Sequence, residues 1–122
     1  MKIFVAHSSD IDFETKLYVP LRESVLNSDH EILLPQESGS KDEITREMIN
    51  GCDVLVADVS RPSLGTGIEI GWADAASVPV IAIFEEGSKV SFSIDNAVTD
   101  RFEYSDAQDL INKLETTLEK LK

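Results

Sequence analysis

Cysteine occurs once in this 122-residue chain and histidine twice. The lone Cys52 excludes an intrachain disulfide and suits a reducing cytoplasm. Set between Gly51 and an apolar run, it reads as a buried structural thiol. Two distant histidines, His7 and His30, together with one thiol make no transition-metal cluster, so neither a metal nor a cofactor is expected. Long apolar runs are also missing: nothing approaches the roughly 18 residues of a membrane span. The opening run Lys2–Ala6 is too short for a signal peptide and reads as a strand. Basic residues are scarce, 11 against 23 acidic ones, for a net charge of −12. Nucleic acid and anionic membrane are therefore disfavoured as partners, because phosphates call for Lys and Arg. A small phosphorylated ligand held by backbone N–H groups is not excluded by that balance.

What is present is an ordinary globular composition, 42% hydrophobic, in a length that suits one domain over residues 1–122. Short β-rich runs alternate with helical patterns, the signature of βαβ units and a parallel sheet. The strands are predicted at Lys2–Ala6, His30–Leu34, Asp53–Asp58, Pro79–Phe84 and, more weakly, Arg101–Tyr104. Helical periodicity covers Asp12–Ser28, with Pro20 forcing a kink or a restart. Ser40-Lys-Asp-Glu43 is a capping box for a helix that Gly51 ends after Asn50. Further helices are predicted over Gly67–Ser77 and in a last segment that opens with Ser105-Asp-Ala-Gln108, where Leu110, Leu114, Leu118 and Leu121 recur at helical spacing. Val90–Asp100 reads as irregular or briefly helical. The architecture implied is a flavodoxin-like three-layer α/β sandwich with a five-stranded, mostly parallel sheet of order 2-1-3-4-5. In such sheets ligands bind at the carboxyl ends of the strands, beside the switch point between strands one and three. Two loops meet there, His7-Ser8-Ser9-Asp10 and Ser60–Thr66.

The second of those loops carries the chemistry. Glu69 stands just after a glycine-bearing turn, where a helix is expected to begin. One reading of Thr66-Gly-Ile-Glu69 is a capping box, with Glu69 bonded back to the Thr66 backbone, and local sequence alone favours it. The other is a nucleophilic carboxylate, kept ionised by the positive end of its helix and attacking an anomeric carbon. Gly65 and Gly67 lack the spacing of a dinucleotide fingerprint; they suit either a tight turn or close backbone approach to a ligand. Ser63 and Thr66 add hydroxyls for phosphate or sugar oxygens. Asp58, at the end of strand three, reads as an Asx-turn acceptor or as a general acid or ribose contact. His7 reads as a solvent-exposed loop residue or as a pocket-facing proton donor or base-stacking group. Trp72 shares the helix face of Glu69 and reads as core or dimer interface. Arg46 and Arg61 are the nearby cations, and Arg61 is placed to offset a phosphate.

The string Val54–Ala73, from Val-Leu-Val-Ala-Asp58 through Ser63-Leu-Gly65-Thr-Gly67-Ile-Glu69 to Trp72-Ala, closely resembles the signature of the nucleoside 2-deoxyribosyltransferase-like superfamily. Within it, the likeness is to 2'-deoxynucleoside 5'-monophosphate N-glycosidases. That resemblance implies cleavage or transfer at the N-glycosidic bond of a (deoxy)nucleoside or its 5'-monophosphate, with Glu69 capturing C1' and Ser63 touching the 5'-phosphate. It also implies a homodimer with a shared site, to which Ser91, Ser93 or Asn96 of a neighbouring subunit would contribute. His7, Ser8, Ser9, Ser63, Gly65, Gly67 and Asn96 are the resulting substrate-binding candidates, and Glu69 and Asp58 the catalytic ones. The chain departs from the family pattern at Phe4 (a tyrosine in the family), near Asp10 (an arginine) and at Thr45 (an aspartate), with Asp42 and Glu47 close to the last. The opening Ile3–Asp10 and Leu17–Leu21 also look like the start of Toll/interleukin-receptor (TIR) domains, some of which cleave NAD with a helix-borne glutamate. A TIR-like module and a non-catalytic nucleotide-binding protein therefore stand as alternatives.

Overall fold

The computed structural model describes residues 1–37, 44 and 46–122, with residue 92 described in its backbone alone. The Ser40–Glu43 capping box, Asp42 and Thr45 lie outside the described residues. Five strands form one parallel sheet in the order β2-β1-β3-β4-β5. They are β1 Lys2–Ala6, β2 Glu31–Leu33, β3 Val54–Asp58, β4 Val80–Glu85 and β5 Asp100–Tyr104. Each lies within a residue or two of its predicted run. The predicted order holds, so the switch point falls between β1 and β3, whose Ile3 and Val54 are in register.

The sheet is covered on both faces, which is why its central strands are apolar at every position rather than at alternate ones. Ile3, Val5, Val54, Val56, Ile81 and Ile83 point to one side and pack with Leu17, Leu21, Leu26, Leu110, Leu114 and Leu118. Phe4, Ala6, Leu55, Ala57 and Val80 point to the other and pack with Ile49, Ile70 and Ala73. The first face is closed by α1 (Val19–Arg22), α2 (Val25–Asp29) and α5 (Ala107–Glu119), the second by α3 (Arg46–Asn50) and α4 (Leu64–Ala75).

The single helical pattern read over Asp12–Ser28 is three pieces. Glu14–Tyr18 forms a π-helical turn in which Val19 N–H reaches back five residues to the Glu14 carbonyl. That wider turn suits Pro20, which sits at the start of α1 without an N–H to donate and with a ring that crowds a regular α-turn. A second break comes at Ser24, whose hydroxyl caps α2 by accepting from Leu26 N–H. Val90–Asp100 contains a short 3-10 turn, Phe92–Asn96. The last helix is capped by Asp106 rather than Ser105, its carboxylate accepting from Asp109 N–H.

One buried pair ties the sheet's carboxyl edge together. Tyr104, at the end of β5, donates its hydroxyl to Asp58 Oδ2 at 2.6 Å across the sheet. Removing that donor leaves a carboxylate oxygen buried without its partner, at a cost of about 1–3 kcal/mol. Tyr104→Phe is therefore expected to lower unfolding stability by about that amount in urea titrations, with little change in fold. A variant as stable as the parent would show the bond to be idle.

Candidate active site

A hollow of about 420 Å³ opens at the carboxyl end of the sheet beside the β1/β3 switch point. Three chain segments wall it, with Ile44, ahead of α3, as a further single contact. The exit of β1 supplies Ala6, His7 and Ser9; the exit of β2 supplies Pro35 and Gln36; the start of α4 supplies Ser63, Gly65, Thr66, Ile68, Glu69 and Trp72. The volume is that of a small-molecule site.

The helix start differs from the sequence reading, and the difference changes Glu69. The expected beginning was Gly67; α4 begins at Leu64, with Ser63 as its N-cap accepting from Thr66 N–H at 3.3 Å. Both glycines thus lie inside the helix, not in a turn, and neither has a positive φ. A Cβ added at Gly67 would meet nothing within 4 Å, and at Gly65 only Ser63 Oγ at 3.9 Å. Since a helical glycine costs about 1 kcal/mol relative to alanine, and neither φ nor packing requires it, what these glycines provide is bare backbone open to space. Glu69 falls in the second turn, too far along to cap Thr66, so the capping-box reading fails. It is 8% exposed, and its Oε2 is buried with no hydrogen-bond partner among the described residues.

The expectation that the helix end keeps Glu69 ionised is corrected as well. Burial raises its pKa from 4.5 to about 7. The dipole acts mainly within the first turn, and here desolvation outweighs it. No cation is paired with the carboxyl among the described residues. It is poised between its two protonation states at neutral pH.

His7 is buried rather than solvent-exposed, and it is fully committed. Its Nδ1 lies 2.9 Å from the Ser8 carbonyl, which can only accept, so Nδ1 carries the proton. Nε2 then accepts from the Tyr18 hydroxyl at 2.6 Å, and the Tyr18 oxygen in turn accepts from Gln36 N–H at 3.0 Å. Burial lowers the His7 pKa and pushes Tyr18 up to about 12, so both are neutral at pH 7. Phe13 stacks on the imidazole with centroids 4.4 Å apart. The network joins the exits of β1 and β2, and it leaves His7 with no proton to offer the hollow. Tyr18 and Gln36 went unnoticed in the sequence; Pro35, which marks the end of a strand beside β1, was the available signal for this third wall.

The remaining candidates divide. Ser9, Ser63 and Gly65 line the hollow. Ser8 is buried behind it, its Oγ accepting from Asp10 N–H. Asp58 does not line it: the side chain is 1% exposed, with Oδ1 accepting from Ser60 N–H and Oδ2 from Tyr104. The Asx-turn reading fits that geometry and the general-acid reading does not. Gly67 opens instead onto a smaller hollow with Arg61, Lys89 and Ser91. Asp10 and Arg61 line another with Lys16 and Glu85. Asn96 is exposed on the 3-10 turn, away from Glu69's hollow. Trp72 is half-buried at the hollow, with the Arg46 guanidinium 5.9 Å above its ring. Phe4 is wholly buried and presents no hydroxyl. Cys52 is the buried structural thiol expected, its Sγ 3.3 Å from the Met48 carbonyl. No group of three metal-ligating side chains occurs among the described residues, and no helix there is long and apolar enough to cross a membrane.

Fold and site together define a parallel α/β domain that presents a buried helical carboxyl group at a sheet switch point. No protein-family model matches the chain. It is 42% identical over 45 residues to a Syntrophotalea carbinolica protein named "Putative 2'-deoxynucleoside 5'-phosphate N-hydrolase 1", covering 37% of this chain and 32% of that one. A Thermofilum pendens protein of the same name is 40% identical over 76 residues, covering 58% of this chain and 53% of its own. The chain thus spans about a third to a half of the length of these curated relatives. Among solved structures, a CMP N-glycosidase of Clostridium botulinum superposes with a TM-score of 0.66 at 21% identity, over 94% of this chain and 99% of that one. At that identity the match speaks for the fold. The likeness to nucleoside 2-deoxyribosyltransferase-like proteins read from Val54–Ala73 is met by these relatives, whose names do not favour the TIR-like alternative.

The titration of Glu69 has a consequence for stability. Its folded pKa lies above its unfolded value of 4.5, so the native state binds the extra proton between pH 4.5 and about 7. Stability is then highest on the acid side of that window and falls as pH rises through it. Glu69→Gln, which holds no charge at any pH, is expected to be more stable than the parent at pH 8, by on the order of 1–3 kcal/mol. The advantage should vanish near pH 4.5. Thermal melts of both proteins across that range check it, and a constant difference would show that Glu69 is not desolvated.

Proposed function

We propose that this protein cleaves, or transfers at, the N-glycosidic bond of a nucleoside or nucleoside 5'-monophosphate, with Glu69 as the nucleophile. The observation that carries the reading is the Glu69 carboxyl itself, buried in the wall of a ligand-sized hollow with its Oε2 unpartnered among the described residues. The names of the relatives, which refer to 2'-deoxynucleoside 5'-phosphate N-hydrolase and CMP N-glycosidase activities, support the same bond as target.

The chemistry follows from these residues. The ionised Glu69 attacks C1' of the sugar, the C1'–N bond breaks, and the base departs with the bonding electrons. Because Asp58 and His7 are both committed inside the protein, the departing base takes its proton from water on the open side of the hollow. Water then attacks C1' of the glycosyl-enzyme and frees the carboxylate; a second base in place of water makes the reaction a transfer. A 5'-phosphate suits the first turn of α4, where the Ser63 hydroxyl and the bare backbone at Gly65 face the same hollow. The Trp72 ring offers a flat wall for a base.

The reading extends to a homodimer. Leu64, 84% exposed, and Ile68, 45% exposed, stand two turns and one turn before Trp72 on α4, an apolar stripe at the edge of the hollow. A second copy over that stripe would close the open side and exclude water. A non-catalytic nucleotide-binding protein is the second reading, supported by Phe4, which supplies no hydroxyl, and by Asp10, which lies on another hollow.

A panel of nucleosides, 5'-monophosphates and NAD, assayed for free base by chromatography, separates these readings. Base release is expected from nucleosides or monophosphates, and Glu69→Gln should reduce kcat/KM by about a thousandfold or more. The parent's kcat/KM should rise with pH and level off above about 7, as Glu69 ionises. Undiminished turnover by Glu69→Gln would remove the proposed nucleophile, and saturable binding without any base release would favour the second reading.

A further inference from the structure

Among the described residues, two buried side-chain oxygens have no hydrogen-bond partner, Glu69 Oε2 and Thr66 Oγ1. Both residues line the same hollow. Three positions apart on α4, they share a helix face, with Cβ atoms about 5–6 Å from one another. Thr66 is 4% exposed, so its hydroxyl is not left to bulk solvent. A helical threonine has an internal outlet for its proton in the carbonyl four residues back. Thr116 and Thr117 on α5 both use it, bonding to the Asn112 and Lys113 carbonyls at 3.1 and 2.7 Å. Thr66 does not. A valine would fill the same volume without an unsatisfied oxygen, so packing alone gives no reason for the hydroxyl.

We infer that Thr66 is a specificity-determining contact which, together with Glu69, reads the 2'-hydroxyl of a ribonucleotide. The inference rests on the reading that Glu69 attacks C1'. An ionised carboxylate only accepts hydrogen bonds, whereas a threonine hydroxyl both donates and accepts. A phosphate oxygen satisfies Thr66 but repels Glu69. A ligand hydroxyl satisfies both, donating to Glu69 and accepting from Thr66. With Glu69 directed at C1', the nearest sugar hydroxyl is the one on C2', a single bond away. A 2'-deoxy sugar carries a methylene there and leaves Thr66 buried and unpaired, the situation in which a site discriminates most strongly. That preference differs from the 2'-deoxy substrates in the names of the curated relatives and agrees with the ribonucleotide in the name of the CMP N-glycosidase.

The test compares the parent, Thr66→Val and Thr66→Ser on matched pairs of ribo- and 2'-deoxyribonucleoside 5'-monophosphates of the four common bases. Base release gives kcat/KM, and calorimetry of the same pairs gives Kd. The parent is expected to prefer the ribonucleotide by about tenfold or more. Thr66→Val should bring the pair to within about threefold, mainly by losing the ribonucleotide, and Thr66→Ser should keep the preference. Thermal melts of Thr66→Val at or above the parent's confirm that it folds. A preference for the deoxy sugar in the parent, or an unchanged ratio in Thr66→Val, overturns the inference. Equal losses on both sugars overturn it too, since Thr66 would then touch a group they share. No base release from any compound sinks the glycosidase reading instead, and the ribo-to-deoxy ratio of Kd values then decides for or against Thr66 by itself.

Discussion

The carboxyl group of Glu69 is held out of water with no cation paired to it among the described residues, and the architecture around it is arranged to keep it there. Taking a carboxylate out of water without a partner is among the less favourable things a small domain can do. A globular chain ordinarily meets that cost by placing a lysine or arginine nearby or by turning the side chain outward. Neither happens among the described residues, and burial moves the group to a pKa of about 7. A destabilised acid at the wall of a hollow is what a nucleophile at neutral pH requires, since it is ionised often enough to react and poorly solvated when it does.

Each wall of the hollow is fixed by bonds that do not involve Glu69. The β1 and β2 exits are joined through His7, Tyr18 and the Gln36 backbone, a chain of hydrogen bonds in which burial disfavours charge on both side chains. The β3 exit is anchored by Asp58, which receives Tyr104 from β5 and turns the chain toward α4 through Ser60. Ser60 Oγ also accepts from Glu85 N–H, tying in β4. These frame groups are hydrogen-bonded, while the buried oxygens without partners among the described residues lie on one face of α4. That division, a settled frame around a strained site, is the usual trade of stability for function.

Much of this was readable from residue order. Central strands are apolar on both sides, so Val54–Asp58 and Val80–Glu85 announce themselves as continuous runs, and their alternation with helices gives the sheet order. The meeting of the His7 and Ser63 loops follows from that order alone. Less readable was the start of α4. Glycines at 65 and 67 speak for a turn by propensity, yet Ser63 caps the helix before them and packing of Ile70 and Ala73 carries it. That displacement of one turn hid the character of Glu69, because burial depends on what the rest of the chain places around it. The Tyr18–His7 bond spans eleven residues and two elements and leaves no periodic trace. Asp58 shows the reverse: its position at a strand end suggests chemistry, but its partner Tyr104, distant in sequence, engages it behind the hollow.

Direct capture of the covalent intermediate tests the central claim most closely. The protein would be mixed with a nucleoside 5'-monophosphate that it turns over, quenched in acid within the turnover time, digested and mass-mapped. The account predicts a sugar-phosphate adduct on the peptide containing Glu69, at that residue, and none in a quench without nucleotide. Base release accompanied by an adduct at another residue would contradict it.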